Sequence, residues 1–409
     1  MKRVAVIGAG ISGLSAAYYL SRRHEVHVFE RDSRLGGHTN TVMVGSIPVD
    51  TGFIVHNELT YPNFCRLMRE LNVQTQPSDM SFAVTERGGA FEYSSRGLSG
   101  FFAQRSNLLS PSHYALLREI VRFNREAPAI LNDEPDTTLG DFLEAGRYSR
   151  PFIDRYLIPM AGAVWSMAPE LVPQFPIVTL IRFMQNHGML GLNTHPQWKT
   201  IRGGSNTYLA PLTVPFRERI VKNAAITSVE RSTTGATLHF QNAADQQFDE
   251  VVFACHGDQI QPMLAQPTVP EREILGCFTT TRNEACLHTD STLLPRRPDA
   301  RASWNYLLGD SRKVTLTYHM NRLQSLNTTD DYCVTLNATD AIDPARILKT
   351  IPYEHPLYNR EAIRAQQRWS EISGHNHTHF CGAYWFYGFH EDGVRSGMRV
   401  AEALGVPCL

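Results

Sequence analysis

The stretch Val4-Ala5-Val6-Ile7-Gly8-Ala9-Gly10-Ile11-Ser12-Gly13 joins a short apolar run to the pattern Gly-x-Gly-x-x-Gly. A helical pattern continues over Ile11–Leu20, so the stretch is typical of the strand, tight turn and helix that open a dinucleotide-binding fold. Gly8 permits the turn, Gly10 leaves room for a pyrophosphate, and Gly13 lets the helix pack closely on the strand. The positive N-terminal end of the helix would then face the phosphates.

A second apolar run, Val26–Phe29, ends in Glu30, twenty residues after Gly10. A carboxylate at this position accepts hydrogen bonds from both ribose hydroxyls and repels a 2′-phosphate. The segment Arg34-Leu35-Gly36-Gly37 then places a cation and a flexible backbone beside the same pyrophosphate. A nicotinamide dehydrogenase does not need this second clamp, so the sequence predicts FAD as the cofactor.

These motifs resemble those of the flavin-containing amine oxidase and phytoene desaturase superfamily, which also includes the protoporphyrinogen oxidases. Glu30–Gly37 resembles its second motif, Val49–Gly52 is similar to an element that passes near the flavin ring, and Gly388–Gly397 is similar to the motif before its last helix. More narrowly, the whole chain resembles bacterial amine-oxidase-like proteins that are associated with cyclopropane-fatty-acid-synthase-like lipid methyltransferases. The stretches that carry this narrower resemblance are Val164–Ser166, Leu287–Asp290, Ser303–Tyr306 and Thr317–Gln324.

The resemblance implies an α/β fold in which a Rossmann-type FAD-binding domain is interleaved with a mixed α+β substrate domain. The expected FAD-binding segments are 1–60, 198–262 and 355–409, and the expected substrate-domain segments are 61–197 and 263–354. A mostly helical block from Pro111 to His187, interrupted by prolines, is expected to cap the substrate cavity.

The C-terminal motif predicts a second contact with the flavin. Gly393 and Val394 precede an amphipathic stretch, Ser396–Leu404, and a helix N-terminus here would stabilise the negative charge that a reduced flavin carries near N1. We expect Gly393 to allow close approach and Val394 to donate its backbone N–H. By resemblance, Val229 would supply backbone contacts to the adenine.

Three positions depart from the amine oxidase pattern. Gly382-Ala383 stands where these enzymes carry Gly-Glu, and His38 stands where an arginine follows Gly-Gly. Their flavin-adjacent lysine has no clear counterpart, and Arg282 is the nearest basic residue by position. These departures weaken the case for an amine substrate but not the case for a flavin. The predicted cofactor-binding residues are Gly8, Gly10, Ile11, Ser12, Gly13, Glu30, Arg31, Arg34, Gly36, Gly37, His38, Thr51, Gly52, Phe53, Val229, Gly382, Glu391, Gly393 and Val394.

Hydride transfer to a flavin requires no protein nucleophile, so the candidate catalytic residues are those that would orient a substrate or move a proton. Tyr384 and Tyr387 precede the C-terminal motif and would form an aromatic cavity wall, with core packing as the alternative. His56 is a candidate base near the flavin, and His390 with Glu391 is a candidate acid–base pair. For each of these residues a purely structural role is the alternative.

Composition disfavours several other classes of protein. The formal net charge is −1 and no basic tail is present, which argues against nucleic-acid binding. Seven scattered cysteines without a CxxC pair suit a reducing compartment better than a disulfide or zinc scaffold. The alternating residues His375, His377 and His379 lack a further ligand nearby, so no metal site is predicted. No signal peptide and no apolar run of roughly 18–20 residues is visible, so a cytoplasmic location is expected.

One segment could still contact the inner face of a membrane peripherally. Gly97–Phe102 is flanked by Arg96 and Arg105 and is followed by Leu108-Leu109. Apolar and cationic side chains in this order are typical of an interfacial helix. The alternative is a helix that packs inward, because paired aromatic residues usually belong to a core.

Three functions are carried forward. The leading hypothesis is an FAD-dependent oxidoreductase that removes a hydride from a small lipid-like substrate, acting as a desaturase or oxidase of methylated fatty acyl chains. The first alternative is an amine oxidase that produces an imine and hydrogen peroxide. The second is a non-catalytic flavoprotein partner of a lipid methyltransferase.

Overall fold

The structure is a computed structural model that describes residues 1–133, 136–191, 196–309 and 312–408. The strands of this part of the chain are β1 (Arg3–Ile7), β2 (Glu25–Phe29), β3 (Thr41–Val44), β4 (Ile47–Asp50), β5 (His56–Asn57), β6 (Thr75–Pro77), β7 (Phe82–Glu86), β8 (Glu92–Ser94), β9 (Trp198–Ile201), β10 (Ile220–Val221), β11 (Ile226–Arg231), β12 (Ala236–Phe240), β13 (Gln246–Phe248), β14 (Glu250–Phe253), β15 (Thr279–His288), β16 (Trp304–Leu308), β17 (Leu316–His319), β18 (Cys333–Leu336), β19 (Ile347–Leu357) and β20 (Thr378–Phe380).

The α-helices of the same residues are α1 (Ile11–Leu20), α2 (Pro62–Glu70), α3 (Gly97–Phe101), α4 (Pro111–Glu126), α5 (Ile130–Asp133), α6 (Leu139–Ala145), α7 (Arg150–Phe152), α8 (Ile158–Trp165), α9 (Ile177–Asn186), α10 (Leu209–Thr213), α11 (Gly257–Ile260), α12 (Val269–Leu275), α13 (Met320–Leu323), α14 (Arg360–Gln367) and α15 (His390–Ala403). Short 3-10 turns connect many of them.

A five-stranded parallel sheet, in the order β10-β2-β1-β14-β20, forms the base of the cofactor site. Its central strand β1 is apolar on both faces because both are covered. Val4 and Val6 belong to one buried cluster with α1 and α15, and Ala5 belongs to another with the three-stranded sheet β11-β12-β13. The carboxyl ends of these parallel strands meet at one edge, where ligands bind in sheets of this type.

The chain leaves this sheet and returns to it twice, as expected for interleaved domains. Its five strands all fall within the predicted FAD-binding segments, because β10 and β14 precede residue 262 and β20 follows residue 355. In its two excursions from this sheet the chain builds a seven-stranded mixed sheet in the order β19-β15-β18-β17-β16-β7-β8. β19 runs from Ile347 to Leu357 without a break, so the predicted boundary after residue 354 falls inside a strand.

The helical region lies against the seven-stranded sheet. Helices α4 to α9 span Pro111 to Asn186 and share one buried apolar cluster with residues of β7, β16 and β17. A small sheet, β5-β9-β6, ties the segment after the first hairpin to the returning chain. The predicted fold class is therefore confirmed: a Rossmann-type parallel sheet is interleaved with mixed α and β structure.

Candidate active site

The first glycine turn is shaped to bind a phosphate group. Gly8 has a φ of +107°, and a Cβ added at Gly13 would lie 2.0 Å from the Gly8 carbonyl oxygen. Both positions therefore need glycine for the fold itself. At Gly10, in contrast, a Cβ would meet no atom within 4 Å. Gly10 faces open space at the N-terminus of α1, where the helix amides and dipole favour an anion.

Glu30 lies at the end of β2 beside this turn. Its carboxylate accepts hydrogen bonds of 2.8 Å from the Ala9 amide and 2.9 Å from the Asp32 amide. These two bonds hold the carboxylate at the carboxyl edge of the sheet, the position predicted to contact a ribose.

The second glycine motif lies directly on the first. The Gly36 amide donates to the Ala9 carbonyl at 2.8 Å, and a Cβ added at Gly37 would be 3.2 Å from the Cα of Gly10. Gly36 and Gly37 have φ values of +106° and +59°. Arg34 is half-buried and donates to the Thr39 carbonyl at 3.2 Å, whereas Arg31 is exposed. The two motifs are thus brought together beside the open space over Gly10.

The last helix reaches the same place from the other side. A Cβ added at Gly393 would lie 2.6 Å from the Cγ2 of Ile11 and 3.0 Å from the Oγ of Ser12, so Gly393 is needed for the packing of α15 on α1. The two helix N-termini therefore converge beside the glycine turn. This donor set, with the space over Gly10 and the carboxylate of Glu30, fits FAD.

The donor predicted at Val394 is corrected by where α15 begins. The helix starts at His390, six residues before the predicted start at Ser396, and the Gly393 amide already donates to the Phe389 carbonyl at 3.0 Å. Val394 lies in the second turn with its side chain in the core, so its amide is part of the helix. The amides at the free end of the helix belong to His390, Glu391 and Asp392.

The Glu391 carboxylate is hydrogen-bonded to the N-terminus of α2. Its carboxylate accepts hydrogen bonds from the side-chain amide of Asn63 at 2.6 Å and from the backbone amide of Phe64 at 2.9 Å. Burial raises the pKa of Glu391, and these donors oppose that shift. Glu391 therefore caps the N-terminus of α2, and its contact with FAD stays a prediction.

Gly52 and Phe53 follow the first hairpin and touch the loop at His38. A Cβ added at Gly52 would lie 2.1 Å from the His38 carbonyl oxygen, and the Phe53 amide donates to that oxygen at 2.8 Å. The neighbouring Thr51 donates its hydroxyl proton to the Asn40 carbonyl at 3.0 Å. The predicted flavin-side segment and the second glycine motif therefore form one continuous wall.

His390 and His56 lie behind this wall, in the core. The His390 ring stacks on Phe53 with centroids 3.6 Å apart, and its Nε2 is 2.9 Å from the Thr39 hydroxyl. Burial lowers the pKa of His390 to about 3 and that of His56 to about 4. The His56 ring is 5.2 Å from that of Phe64 and has only 1% of its surface exposed. Both histidines are brought together, but their packing favours the structural alternative over acid–base catalysis.

The predicted aromatic wall divides into two groups. Tyr384 is buried against Phe278, with ring centroids 4.7 Å apart, and lies on the side of His256. Tyr387 is half-buried, and its carbonyl accepts a hydrogen bond of 3.2 Å from the indole of Trp165. The two tyrosines therefore do not form a single wall. The sequence did not identify the aromatic group of Trp165, Phe183, His187 and Phe389, whose members are linked by centroid distances of 3.9 to 5.0 Å.

Three further predicted positions have local partners. The Val229 carbonyl accepts the Ala265 amide at 3.1 Å, so at least one of the two backbone groups predicted for the adenine is already bonded. The Gly382 amide donates to the Ser396 hydroxyl at 3.0 Å. Arg282 has 87% of its side chain exposed and pairs with Glu354, so it cannot replace the missing lysine.

Three partly accessible histidines lie together beside this wall, and we call the space that they border the recess. The His38 ring lies 5.2 Å from that of His355 and 6.0 Å from that of His256, and it stacks on Tyr353 at 5.0 Å. All three histidines are deep in the protein and yet keep some accessible surface. Burial lowers the pKa of each, to about 4 for His355, so each is neutral at pH 7. The His38 Nε2 is buried without a hydrogen-bond partner in the described residues.

Metal-binding clusters and membrane-spanning helices are both absent from the part of the chain that the structure describes. In residues 1–133, 136–191, 196–309 and 312–408, no group of three or more His, Cys, Asp or Glu is arranged to hold a metal ion. No helix of these residues is long and apolar enough to cross a bilayer.

Comparison with known proteins identifies the group that this site resembles. Residues 11–330 match the family model described as flavin containing amine oxidoreductase. A putative flavin-containing monoamine oxidase, AofH of Mycobacterium tuberculosis, is 27% identical over 247 residues, which cover 58% of this chain and 53% of that protein. The chain thus spans about half the length of that curated relative.

Solved structures share the fold over nearly the whole chain. Putrescine oxidase bound to putrescine matches with a TM-score of 0.72 at 14% identity, over 98% of both chains. A fatty acid isomerase from P. acnes that produces CLA matches with a TM-score of 0.68 at 14% identity, over 97% of both chains. The family match confirms the cofactor predicted from the glycine motifs, which is FAD.

Proposed function

This chain belongs to the flavin containing amine oxidoreductase family, and on that premise we propose that it removes a hydride from an uncharged fatty acyl chain. It would thus act as an FAD-dependent desaturase or oxidase of lipid-like substrates, including methylated acyl chains. The observation that carries the proposal is the chemistry of the recess, where neutral imidazoles lie beside the ring of Tyr353 and the nearby carboxylates of the described residues already have partners.

The buried acids nearest the wall are already bonded. Asp50 accepts hydrogen bonds from the Thr41 hydroxyl at 2.6 Å, the Ser205 amide at 2.8 Å and the Gln324 side chain at 3.1 Å. Glu391 caps α2, and Asp392 accepts the Phe389 amide at 3.0 Å. Burial raises the pKa of Asp50 to about 6 and that of Asp392 to about 7, which further limits their use as fixed negative charges.

The acids on the His256 side are engaged as well. Asp258 accepts a hydrogen bond of 2.7 Å from the Thr280 hydroxyl, and Glu354 pairs with Arg282 at 3.4 Å and accepts from Gln259 at 3.2 Å. A buried ammonium ion needs a charged or multiply bonded partner, whereas a hydrocarbon needs only apolar contact. The described residues around the recess meet the requirement of a hydrocarbon and not that of an ammonium ion.

The residues of this chain would then divide the work as follows. The turn at Gly10 with the N-terminus of α1 binds the pyrophosphate, and Glu30 binds a ribose. When bound, FAD would supply the hydride acceptor, and the proton that leaves the neighbouring carbon in a desaturation would pass to a neutral imidazole of the recess, such as that of His38. The aromatic group of Trp165, Phe183, His187 and Phe389 packs against the acyl chain and excludes water, which keeps the reacting carbon in place.

A structural neighbour supports an acyl substrate. The fatty acid isomerase from P. acnes has the same fold, so this architecture is compatible with a cavity for a fatty acid. The specific observation that favours the second candidate function, amine oxidation, is the sequence similarity to the monoamine oxidase AofH. A third role, as the flavoprotein partner of a lipid methyltransferase, would require no turnover by this chain.

Anaerobic reduction of the bound flavin separates the three functions. The FAD-loaded protein is mixed without oxygen with phospholipids that carry saturated, unsaturated or methylated acyl chains, and in parallel with putrescine and spermidine. Loss of the flavin absorbance with phospholipids alone supports the proposal. Bleaching by the amines, with peroxide release after oxygen is readmitted, contradicts it and favours amine oxidation. Bleaching by neither, together with stable binding of a lipid methyltransferase, favours the partner role.

A further inference from the structure

A histidine outside the predicted set is oriented toward the recess by two asparagines. His355 lies near the end of β19, and its Nδ1 is 2.9 Å from the Nδ2 of Asn283 on the neighbouring strand β15. The Oδ1 of Asn283 accepts a hydrogen bond of 2.7 Å from the Nδ2 of Asn337. These three side chains form one continuous chain of hydrogen bonds.

Backbone groups fix which atoms donate and which accept in this series of hydrogen bonds. The Glu284 amide donates to the Oδ1 of Asn337 at 3.0 Å, and the Val314 carbonyl accepts from its Nδ2 at 2.9 Å. The side-chain amide of Asn337 therefore has only one orientation that satisfies both backbone groups. Asn283 must then accept through Oδ1 and donate through Nδ2, so the Nδ1 of His355 is an acceptor and its proton is on Nε2.

The Nε2–H of His355 is thus left for the recess. The rings of His355 and His38 are 5.2 Å apart, and the Nε2 of His38 is buried without a partner in the described residues. The hydrogen-bonded series thus ends in an oriented donor, the Nε2–H of His355, close to the unpartnered Nε2 of His38. This arrangement points to a bound group with a hydrogen-bond acceptor.

We propose that His355 is a positioning residue that donates its Nε2–H to an uncharged oxygen or nitrogen acceptor bound in the recess, with Asn337 and Asn283 setting its tautomer. The acceptor belongs either to the flavin or to the substrate, and the substrate alternative rests on the proposed function. Because His355 stays neutral, the donor persists across the physiological pH range.

The tautomer can be measured directly on the FAD-loaded protein. Nitrogen-15 spectra of labelled histidine should show His355 protonated at Nε2 and bare at Nδ1, and His355→Phe identifies its signals. Asn283→Leu should yield a mixture of the two tautomers, whereas the exposed Asn242→Ala control should not change them. A wild-type His355 protonated at Nδ1 would overturn the proposal, whatever the substrate is.

Binding measurements then identify the acceptor. His355→Phe should weaken FAD binding about tenfold if the flavin is the acceptor, or raise the acyl-substrate KM about tenfold at unchanged FAD affinity if the substrate is. Asn283→Leu should have a smaller effect in the same direction. If both variants keep wild-type FAD affinity and KM, His355 positions nothing. If acyl chains do not reduce the flavin of the wild-type protein, only the proposed function fails. The nitrogen-15 spectra and the FAD affinities then still test the role of His355.

A second inference comes from the outer surface of α3 and α4. Five of the large apolar side chains that are exposed lie on this one stretch: Leu98, Leu108, Leu109, Tyr114 and Val121. We call them, together with Arg105, Arg118 and Arg125, the α3–α4 surface. Leu109 has 89% of its surface exposed, and Leu98 has 73%.

The α3–α4 surface is held on a rigid base. The inner face of α4 buries His113, Leu116, Glu119 and Phe123, while Tyr114, Arg118, Val121 and Arg125 recur at helical spacing on its outer face. The Tyr114 hydroxyl donates to the Leu108 carbonyl at 3.1 Å. The base belongs to the protein core, because Leu116 and Phe123 share a buried cluster with Trp165 and Phe183.

The charge of this surface identifies its occupant. Residues 96–125 carry five arginines and one acid, Glu119, although the chain as a whole has a net charge of −1. Glu119 is turned inward and accepts the Ser149 amide at 3.0 Å, and Glu126 pairs with Arg122 and Arg125. The geometry points to docking on a bilayer with anionic headgroups, with leucines at the acyl boundary and arginines at the phosphates.

Vesicle flotation tests this docking without any turnover. The FAD-loaded protein should float with phosphatidylglycerol-containing vesicles and much less with pure phosphatidylcholine, and salt should weaken the binding. The double change Leu108→Ser with Leu109→Ser, and separately Arg105→Gln with Arg118→Gln, should each lower binding about tenfold. Leu348→Ser, an exposed leucine on β19, is the matched control and should bind like wild type.

Failure to bind anionic vesicles, or equal binding by all variants, would overturn the docking proposal. A concentration-dependent dimer that the leucine changes abolish would also overturn it, because the surface would then be an interface between copies of this chain. Neither result bears on the anaerobic reduction of the flavin.

Discussion

At the scale of single residues, the glycines of the first turn have two different roles. Gly13 is required by the fold, because any Cβ there would meet the Gly8 carbonyl oxygen at 2.0 Å. Gly10 is not, because a Cβ there meets no protein atom within 4 Å. Its small size is therefore explained by the group that binds above it.

This distinction gives a test with opposite outcomes at two positions. Gly10→Val should abolish FAD binding and leave the thermal midpoint of the apoprotein nearly unchanged, because the side chain occupies only the phosphate space. Gly13→Ala should lower the thermal midpoint of the apoprotein itself, because backbone must move. Flavin absorbance and thermal unfolding of the two variants check this. Full FAD occupancy in Gly10→Val would contradict the placement of the pyrophosphate.

Glu391 provides a second test at this scale. Glu391→Gln should lower the free energy of unfolding by about 1–3 kcal/mol, because an amide cannot accept from both Asn63 and Phe64 as the carboxylate does. FAD affinity should stay the same. Urea unfolding and FAD titration measure the two effects, with the exposed Glu402→Gln on the same helix as control. Weaker FAD binding at unchanged stability would support the predicted cofactor contact.

At the scale of elements, helix starts and strand registers decided which predictions succeeded. The glycine turns, Glu30 and the parallel strands follow from local sequence, so the sequence could predict them. The start of α15 was missed because Gly393 and Val394 were interpreted as the flavin contact before a helical stretch that began at Ser396, whereas the helix begins at His390. Two acids in a first helical turn were a usable signal of that start. His355, Asn283 and Asn337 could not be grouped, because their contact depends on the pairing of β15 with β18 and β19.

Buried histidines on several elements predict how stability depends on pH. Burial lowers the pKa of His56, His187 and His355 to about 4, below the value of about 6.5 in an unfolded chain. Between pH 6.5 and 4 the unfolded state therefore binds more protons than the folded state. Stability should be full above pH 6.5 and fall as the pH drops toward 4.

One substitution isolates a single histidine in this behaviour. His56→Phe, which replaces the ring with another between Phe53 and Phe64, should reduce the pH slope of the unfolding free energy by up to about 1.4 kcal/mol per pH unit below pH 6.5. Urea unfolding at a series of pH values measures the slope, with the exposed His375→Phe as control. An unchanged slope would mean that His56 is not held neutral by burial.

At the scale of the whole molecule, elements of both large sheets meet at the recess. The parallel sheet presents its carboxyl edge, with the two glycine motifs, and the mixed sheet presents His355 and Tyr353 from β19. Trp165 of α8, Phe183 of α9 and Phe389 of the C-terminal motif form an aromatic group whose rings contact one another. The recess of this chain thus brings neutral imidazoles next to an aromatic ring within the fold of its family.

The most direct test of an acyl substrate is the rate of flavin reduction with deuterated acyl chains. Anaerobic stopped-flow absorbance compares phospholipids with ordinary and perdeuterated chains on the FAD-loaded protein. If the acyl chain of the lipid donates the hydride, the flavin bleaches with both lipids. Bleaching is slower with the deuterated lipid, because a C–H bond breaks in the measured step. The absence of bleaching by either lipid, or rapid bleaching by putrescine in the same apparatus, would contradict hydride removal from an acyl chain.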